Sequence, residues 1–245
     1  MSRPGFRRPK HLLVLKALLS LDAGFLERAQ CYFGGGTRIV MALDEYRESA
    51  DLDFLCSSRD GYRALRSSVT NDSLGELAAG KVPLAREVIS DRYGIRTFLD
   101  IGGEKIRFEI VNEARIDLSG VDGGRLHVPC LDKKSCFAEK LLANEDRWHD
   151  ESVLNRDAID LGFMIEGWGA APALEGLDAA RAAYGETVVK SAERAARKLI
   201  ERKDYFKKCM TGLRVDDTGT LLKGLKRLSA IGSWRGTPER SRRRS

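Results

Sequence analysis

The chain has little of what disulfide frames, metal knots and membrane spans are made from. Of its 245 residues five are cysteines, and Cys31, Cys56, Cys130, Cys136 and Cys209 are odd in number, scattered and without a Cys-x-x-Cys pair. That excludes a disulfide scaffold and points to reduced thiols in a cytoplasmic protein. Cys130 and Cys136 with His127 lack a fourth ligand and the usual zinc spacing, so they read as buried thiols. The three histidines, His11, His127 and His149, fall in no motif and are assigned packing or surface roles. No window holds the roughly 18 uninterrupted apolar residues of a membrane helix. Arg3, Arg7, Arg8 and Lys10 before an apolar run imitate a secretory leader. Lys16 interrupts that run, no small-x-small site follows, and Leu12, Leu15, Leu19 and Leu26 keep amphipathic spacing, so a helix is expected instead. Internal repeats and long low-complexity tracts are absent as well.

What is present describes a water-soluble globular chain, with 42% hydrophobic and 32% charged residues. The length suffices for one large domain or two modest ones. Charge is uneven: from Lys190 onward there are 17 Lys and Arg against 6 Asp and Glu, a net of +11, which leaves −5 for residues 1–189 of a chain at +6. A polyanion would therefore dock on the C-terminal helices and tail.

Periodicity predicts a helix over residues 10–29, a short strand Cys31–Phe33 stopped by glycines, a helix from about Thr37 to Tyr46, and a strand Ala50–Cys56. Helix and loop follow over 59–80. Two strands come next, about Glu87–Ile101 with a break near Tyr93-Gly94 and Lys105–Val111, joined by Gly102-Gly103. From Asp132 the pattern turns helical: Ser135–Arg147, Leu154–Glu166, a Gly/Ala/Pro-rich connector Gly167–Gly176, Glu186–Met210 and Thr218–Ile231. The expected architecture is α+β, a core on a small mixed sheet over residues 1–131 and a helical domain over 132–235. A basic tail at 236–245 is expected to be disordered.

The chemistry concentrates in Gly34–Phe54, GGGTRIVMALDEYRESADLDF. Asp51 and Asp53, two apart on a strand, share one face while Leu52 and Phe54 take the other, so the two carboxylates can hold one metal ion. A third acid on a neighbouring strand completes the donor set that two-metal phosphoryl or nucleotidyl transfer uses, because hard cations take oxygen ligands. In KIRFEIV, Ile106, Phe108 and Ile110 face the core and leave Arg107 and Glu109 opposite; Glu109 is the first choice for the third acid, with Asp100 in competition. The glycine turn at a helix N-terminus offers backbone N–H groups to phosphates.

Gly35-Gly36-Thr37 followed by Arg47-x-Ser49-x-Asp51-Leu52-Asp53 resembles the signature of the AbiEii/AbiGii-type nucleotidyltransferase toxins, a branch of the DNA polymerase beta-like superfamily. AEKLLANEDR, with Lys140 and Arg147, and NRDAIDL, with Asp157, extend the resemblance to Asp160. It implies that Ser49 and the turn contact nucleotide phosphates, that Asp51 and Asp53 hold metal, and that Lys140 binds the triphosphate. Asp157 would complete the site or help activate the acceptor. Arg47 either touches the nucleotide or pairs with an acid to brace the loop. Arg38, after Gly-Gly-Thr, departs from the small or apolar residue more usual there. The implied reaction is Mg²⁺-dependent transfer of NMP from an NTP to a hydroxyl, with two ions, restrained by an antitoxin. Basic C-terminal helices favour RNA, tRNA in particular, as the acceptor. A small molecule or protein hydroxyl as acceptor, and a non-catalytic nucleotide- or RNA-binding protein, are the rival readings.

Overall fold

Side-chain alternation along two strands decides the layering. In Leu52–Cys56 the residues Leu52, Phe54 and Cys56 are fully buried on one face, and the Phe54 ring lies 5.3 Å from Phe33 and 5.8 Å from Phe108, centroid to centroid. Asp53 and Leu55 take the other face. The computed structural model describes residues 5–234. Such strands assemble there into a seven-stranded mixed sheet: β1 Cys31–Phe33, β2 Leu52–Cys56, β3 Leu84–Ser90, β4 Gly94–Ile101, β5 Glu104–Asn112, β6 Gly120–Val121 and β7 Cys130–Leu131, ordered β3-β4-β5-β2-β1-β7-β6. β2 runs parallel to β5 and antiparallel to β1, and β1 runs parallel to β7.

One sheet face is covered by α1 (Pro9–Leu19), α2 (Ala23–Arg28) and α4 (Arg59–Ser68), around Phe33, Phe54 and Phe108. A second apolar cluster unites α3 (Gly35–Ala42) with α5 (Lys133–Arg147), α6 (Arg156–Trp168), α7 (Ala170–Tyr184), α8 (Thr187–Glu201), α9 (Lys203–Leu213) and α10 (Thr218–Leu228). It takes in Ile39, Leu55 and Leu131 from residues 1–131, so the helices pack directly on the sheet's other face. The chain is thus α+β, as the pattern predicts, on a larger sheet than expected.

Four elements differ from expectation. The helix expected over 10–29 breaks at Ser20–Asp22, because the Asp22 carboxylate accepts from Phe25 N at 2.6 Å and caps a new helix. α3 stops at Ala42 rather than near Tyr46: Asp44 and Glu45 adopt φ of +59° and +56°, and the buried Glu45 carboxylate is held by the amides of Arg7 and Arg8 and by His11. The stretch 167–176, expected as a connector, is mostly α7. Its alanines favour helix, Pro172 falls in the first turn where no amide is needed, and Gly169 at φ +87° separates it from α6. A Cβ at Gly176 would lie 2.5 Å from Phe137 Cβ and 2.7 Å from Lys134 O, so only glycine lets α7 approach α5 this closely. The helix expected over 186–210 is two, α8 and α9, parted at Arg202 with φ −94° and ψ 83°. The expected disordered tail lies outside the described residues.

Candidate active site

β2 and β5 are parallel neighbours, and their register sets Asp53 directly beside Glu109. Asp51, just before β2, and Arg107, two residues before Glu109, fall on the same face by alternation. These four side chains, with Gly35, Gly36, Arg47, Ser49, Glu139, Lys140, Arg147 and Arg156, line a cleft of about 240 Å³ between sheet and helices. Apolar side chains of Ile39, Leu55, Val111, Leu131 and Ala143 line it as well.

The glycine turn lies against the acids. Gly34 N donates to Asp53 O at 2.8 Å, and a Cβ on Gly35, whose φ is +65°, would meet the Asp53 carboxylate at 2.5 Å. The first amides of α3, which no helical carbonyl satisfies, open beside the cleft at Gly35 and Gly36. Thr37 is buried and does not line the cleft; its hydroxyl bonds the Ser49 hydroxyl at 2.9 Å and fixes that side chain at the rim.

The helical wall is cationic and mostly buried. Asp160, wholly buried, accepts from Tyr46 Oη at 2.6 Å, Arg47 Nε at 2.7 Å and Arg47 Nη2 at 2.8 Å, and lies 2.7 Å from Lys140 Nζ. Lys140 Nζ also donates to Asp157 Oδ1 at 2.9 Å, and Arg147 grips Asp157 through Nε at 2.6 Å and Nη2 at 2.9 Å. Burial opposes the charge of Lys140, but Asp157 and Asp160 outweigh it and hold the ammonium above its usual pKa. Burial likewise opposes ionisation of Asp157, and Lys140 and Arg147 pull its carboxyl well below the usual range. Asp157 stands behind Lys140, outside the cleft lining, so its geometry positions the lysine.

The acidic wall is organised by a guanidinium. Arg107 Nη1 lies 3.3 Å from Asp53 Oδ1 and 3.7 Å from Asp51 Oδ2, and Nη2 bonds the Glu109 carboxylate. Burial, then the neighbouring charge of Asp51, raises the pKa of Asp53. Among the described residues no group of three or more His, Cys, Asp and Glu side chains is gathered to hold a metal ion; the cation shared by Asp51, Asp53 and Glu109 is Arg107. Asp100, the rival third acid, accepts from Gly103 N at 2.7 Å in the β4–β5 turn and does not line the cleft. Cys130 and Cys136 are buried free thiols, as their spacing implies.

Arg47 pairs with a buried acid, which is the bracing alternative, and also lines the cleft. Sequence reasoning named Arg107 without giving it a role; its place two residues before Glu109 on one strand face was the available signal. It gave Glu139 no role in the site; burial and the neighbouring Glu113 push that carboxyl up to about 8.

The loop bearing Arg47 and Ser49 is tied at both ends of the chain. Glu48 N donates to Leu213 O at 3.2 Å and Asp216 N to Tyr46 O at 3.0 Å, while Lys10 and Arg214 pair with Glu48 and Arg8 with Asp216.

An acidic strand pair facing a glycine turn on a mixed sheet, closed by helices, is the nucleotidyltransferase fold. A crystal structure from H. pylori, provisionally titled a nucleotidyltransferase, superposes with a TM-score of 0.53 at 13% identity, over 94% of this chain and 95% of that one. At that identity the likeness speaks for the fold alone. The family model described as "Nucleotidyl transferase AbiEii toxin, Type IV TA system" matches residues 18–218, and the chain belongs to that family. No curated protein matches it.

Proposed function

We propose that the protein is a Mg²⁺-dependent nucleotidyltransferase toxin that moves NMP from an NTP to a hydroxyl of RNA, most readily tRNA. The observation that carries this reading is the opposition of walls: carboxylates of Asp51, Asp53 and Glu109 on neighbouring strands, against the Gly35-Gly36 amides, Ser49, Arg47 and Lys140. The three carboxylates share one cation, Arg107, and are hard oxygen donors; on this reading two metal ions draw them together in its place. When bound, the metal supplies charge neutralisation on the phosphates and a more acidic acceptor hydroxyl.

The chain's own groups do the rest. The Gly35 and Gly36 amides and Ser49 hold phosphate oxygens, and Thr37 orients Ser49. Lys140, charged throughout the physiological range, neutralises the leaving pyrophosphate, and Asp157 and Asp160 hold it in place. Arg47, locked by Asp160, adds a fixed positive charge at the same wall. In-line attack by the hydroxyl needs only alignment and charge stabilisation, which a cleft closed between sheet and helices provides.

The acceptor is inferred from charge. Lys190, Arg194, Lys203, Lys207, Lys208 and Lys223 are exposed on α8–α10 and, among the described residues, carry no carboxylate partner. Such a surface binds a phosphate backbone. The five buried thiols accord with a cytoplasmic site of action, and an antitoxin encoded nearby restrains the activity.

Incubation with Mg²⁺, each labelled NTP in turn and total tRNA, beside an Asp51→Ala control, tests the proposal. Label is expected in RNA with the intact protein alone. Label in protein or in a small molecule would move the acceptor, and nucleotide binding without transfer would make this a binding protein.

A further inference from the structure

We propose that Arg107 couples metal binding to nucleotide binding: it pairs with the three carboxylates while the cleft is without nucleotide, and passes to the phosphates when a metal–NTP complex takes those carboxylates. The inference rests on the metal reading of Asp51, Asp53 and Glu109 given above.

The cleft arginines are not equivalent. Arg47 is 3% exposed and bound through two nitrogens to Asp160, and Arg147 is bound through two nitrogens to Asp157, so both are fixed in the helical wall. Arg107 instead stands at the cleft mouth with its side chain 43% exposed, and its partners are the three carboxylates assigned to metal. Its backbone is pinned within β5, where it pairs with Phe98 of β4. Only the side chain is free to turn, through rotamer changes that an exposed arginine makes readily.

Electrostatics gives that freedom a direction. Three carboxylates and one guanidinium leave the acidic wall at a net −2, attractive to a divalent ion. The ion needs the same oxygen lone pairs that Arg107 holds, and two cations crowded on one set of oxygens repel. Metal alone must therefore displace Arg107 into water. Metal arriving with a triphosphate brings an anion for the displaced guanidinium, whose planar fork suits phosphate oxygens. Each ligand consequently strengthens the other, and the coupling is reciprocal.

Mn²⁺ binding followed by electron paramagnetic resonance, with and without a non-hydrolysable NTP analogue, tests this on four proteins: wild type, Arg107→Ala, Arg107→Lys and Asp51→Asn. Wild type is expected to bind Mn²⁺ weakly alone and about tenfold more tightly with the analogue. Arg107→Ala should bind Mn²⁺ alone more tightly than wild type does, and gain clearly less from the analogue, whose phosphates still ligate the ion. Arg107→Lys, which keeps the charge, should restore most of the coupling. Equal Mn²⁺ affinity and equal coupling in wild type and Arg107→Ala would overturn the assignment of Arg107. Mn²⁺ binding unaffected by Asp51→Asn would instead show the metal to lie elsewhere, overturning the site reading and the role of Arg107 with it.

Discussion

Asp160→Asn is the sharpest test of how the cationic wall is built. The native carboxylate, fully buried, serves three donors: the Tyr46 hydroxyl, the Arg47 guanidinium and the Lys140 ammonium. Arg47, Lys140 and Arg147 against Asp157 and Asp160 give this buried group a net +1, which the substitution raises to +2. The new amide also turns N–H donors toward cations that can only donate. Lys140 keeps Asp157, but the single oxygen left at residue 160 can accept from only one of Arg47 Nε and Nη2, and the ion pair is gone. Removing one partner of a buried pair costs about 3–5 kcal/mol, and we expect ~4 kcal/mol here, a large part of the roughly 5–15 kcal/mol that holds a domain folded. Trp148, Trp168 and Trp234 all lie in the helical half, so urea unfolding followed by tryptophan fluorescence reads the affected region. With a slope of about 2–3 kcal/mol per molar urea, the midpoint should fall by ~1–2 M. Asp51→Asn, at a half-exposed position beside another carboxylate, should change stability by less than about 0.5 kcal/mol. The reasoning fails if Asp160→Asn costs no more than Asp51→Asn. Acid gives an independent check, since Asp157 and Asp160 both have depressed pKa values. Their contribution is complete above the unfolded carboxylate value of about 3.9 and is lost as pH falls through the folded values, so Asp160→Asn should flatten the acid limb.

Gly35→Ala should abolish metal-dependent transfer while leaving most of the fold, because the methyl meets the Asp53 carboxylate and the φ of +65° is strained for alanine; circular dichroism beside the transfer assay separates the two effects. His11 is buried, and burial lowers its pKa against the pull of Glu45, so stability should fall as pH drops below about 6.5, where the unfolded chain takes up a proton that the fold resists. His11→Gln should remove that dependence from a thermal melt series. For Glu139 the sign reverses: burial beside Glu113 raises its pKa to about 8, so the fold prefers the acid and loses stability as pH rises toward that value. Glu139→Gln should therefore melt higher than wild type at pH 9, by a margin equivalent to ~2 kcal/mol, and alike at pH 5; equal melting at both would refute the shared burial of the two acids.

How much of this was legible differs by element. Strand positions around Asp53 and Glu109 were readable because burial of Phe54 and Phe108 forces their neighbours to the opposite face, and alternation is a local property. The Gly-Gly turn was readable for the same local reason. The break between α1 and α2 was missed although Asp22 carries a capping signal, because the apolar spacing runs on through it. α7 was missed because glycine, alanine and proline suggest a linker until packing against α5 shows why Gly176 is small. The pairing of Arg47 with Asp160 joins residues 113 apart, and no periodicity reports a contact across that distance. The same holds for which of Glu109 and Asp100 lies beside Asp53, which strand register decides and strand sequence does not.

The tethering of the Arg47–Ser49 loop bears on when the protein acquires its cleft. Arg8 and Asp216, which meet beside that loop, are 208 residues apart, so the contact forms only after all the intervening residues have been made. Loop closure over such a span comes late in folding. A chain still being synthesised, or one cut short before Leu213, would carry Asp51, Asp53 and Lys140 without the brace that aligns Arg47 and Ser49 against them. On the function proposed above, this sets a safeguard in time: the nascent chain stays inert until the segment 213–216 has been made and docked.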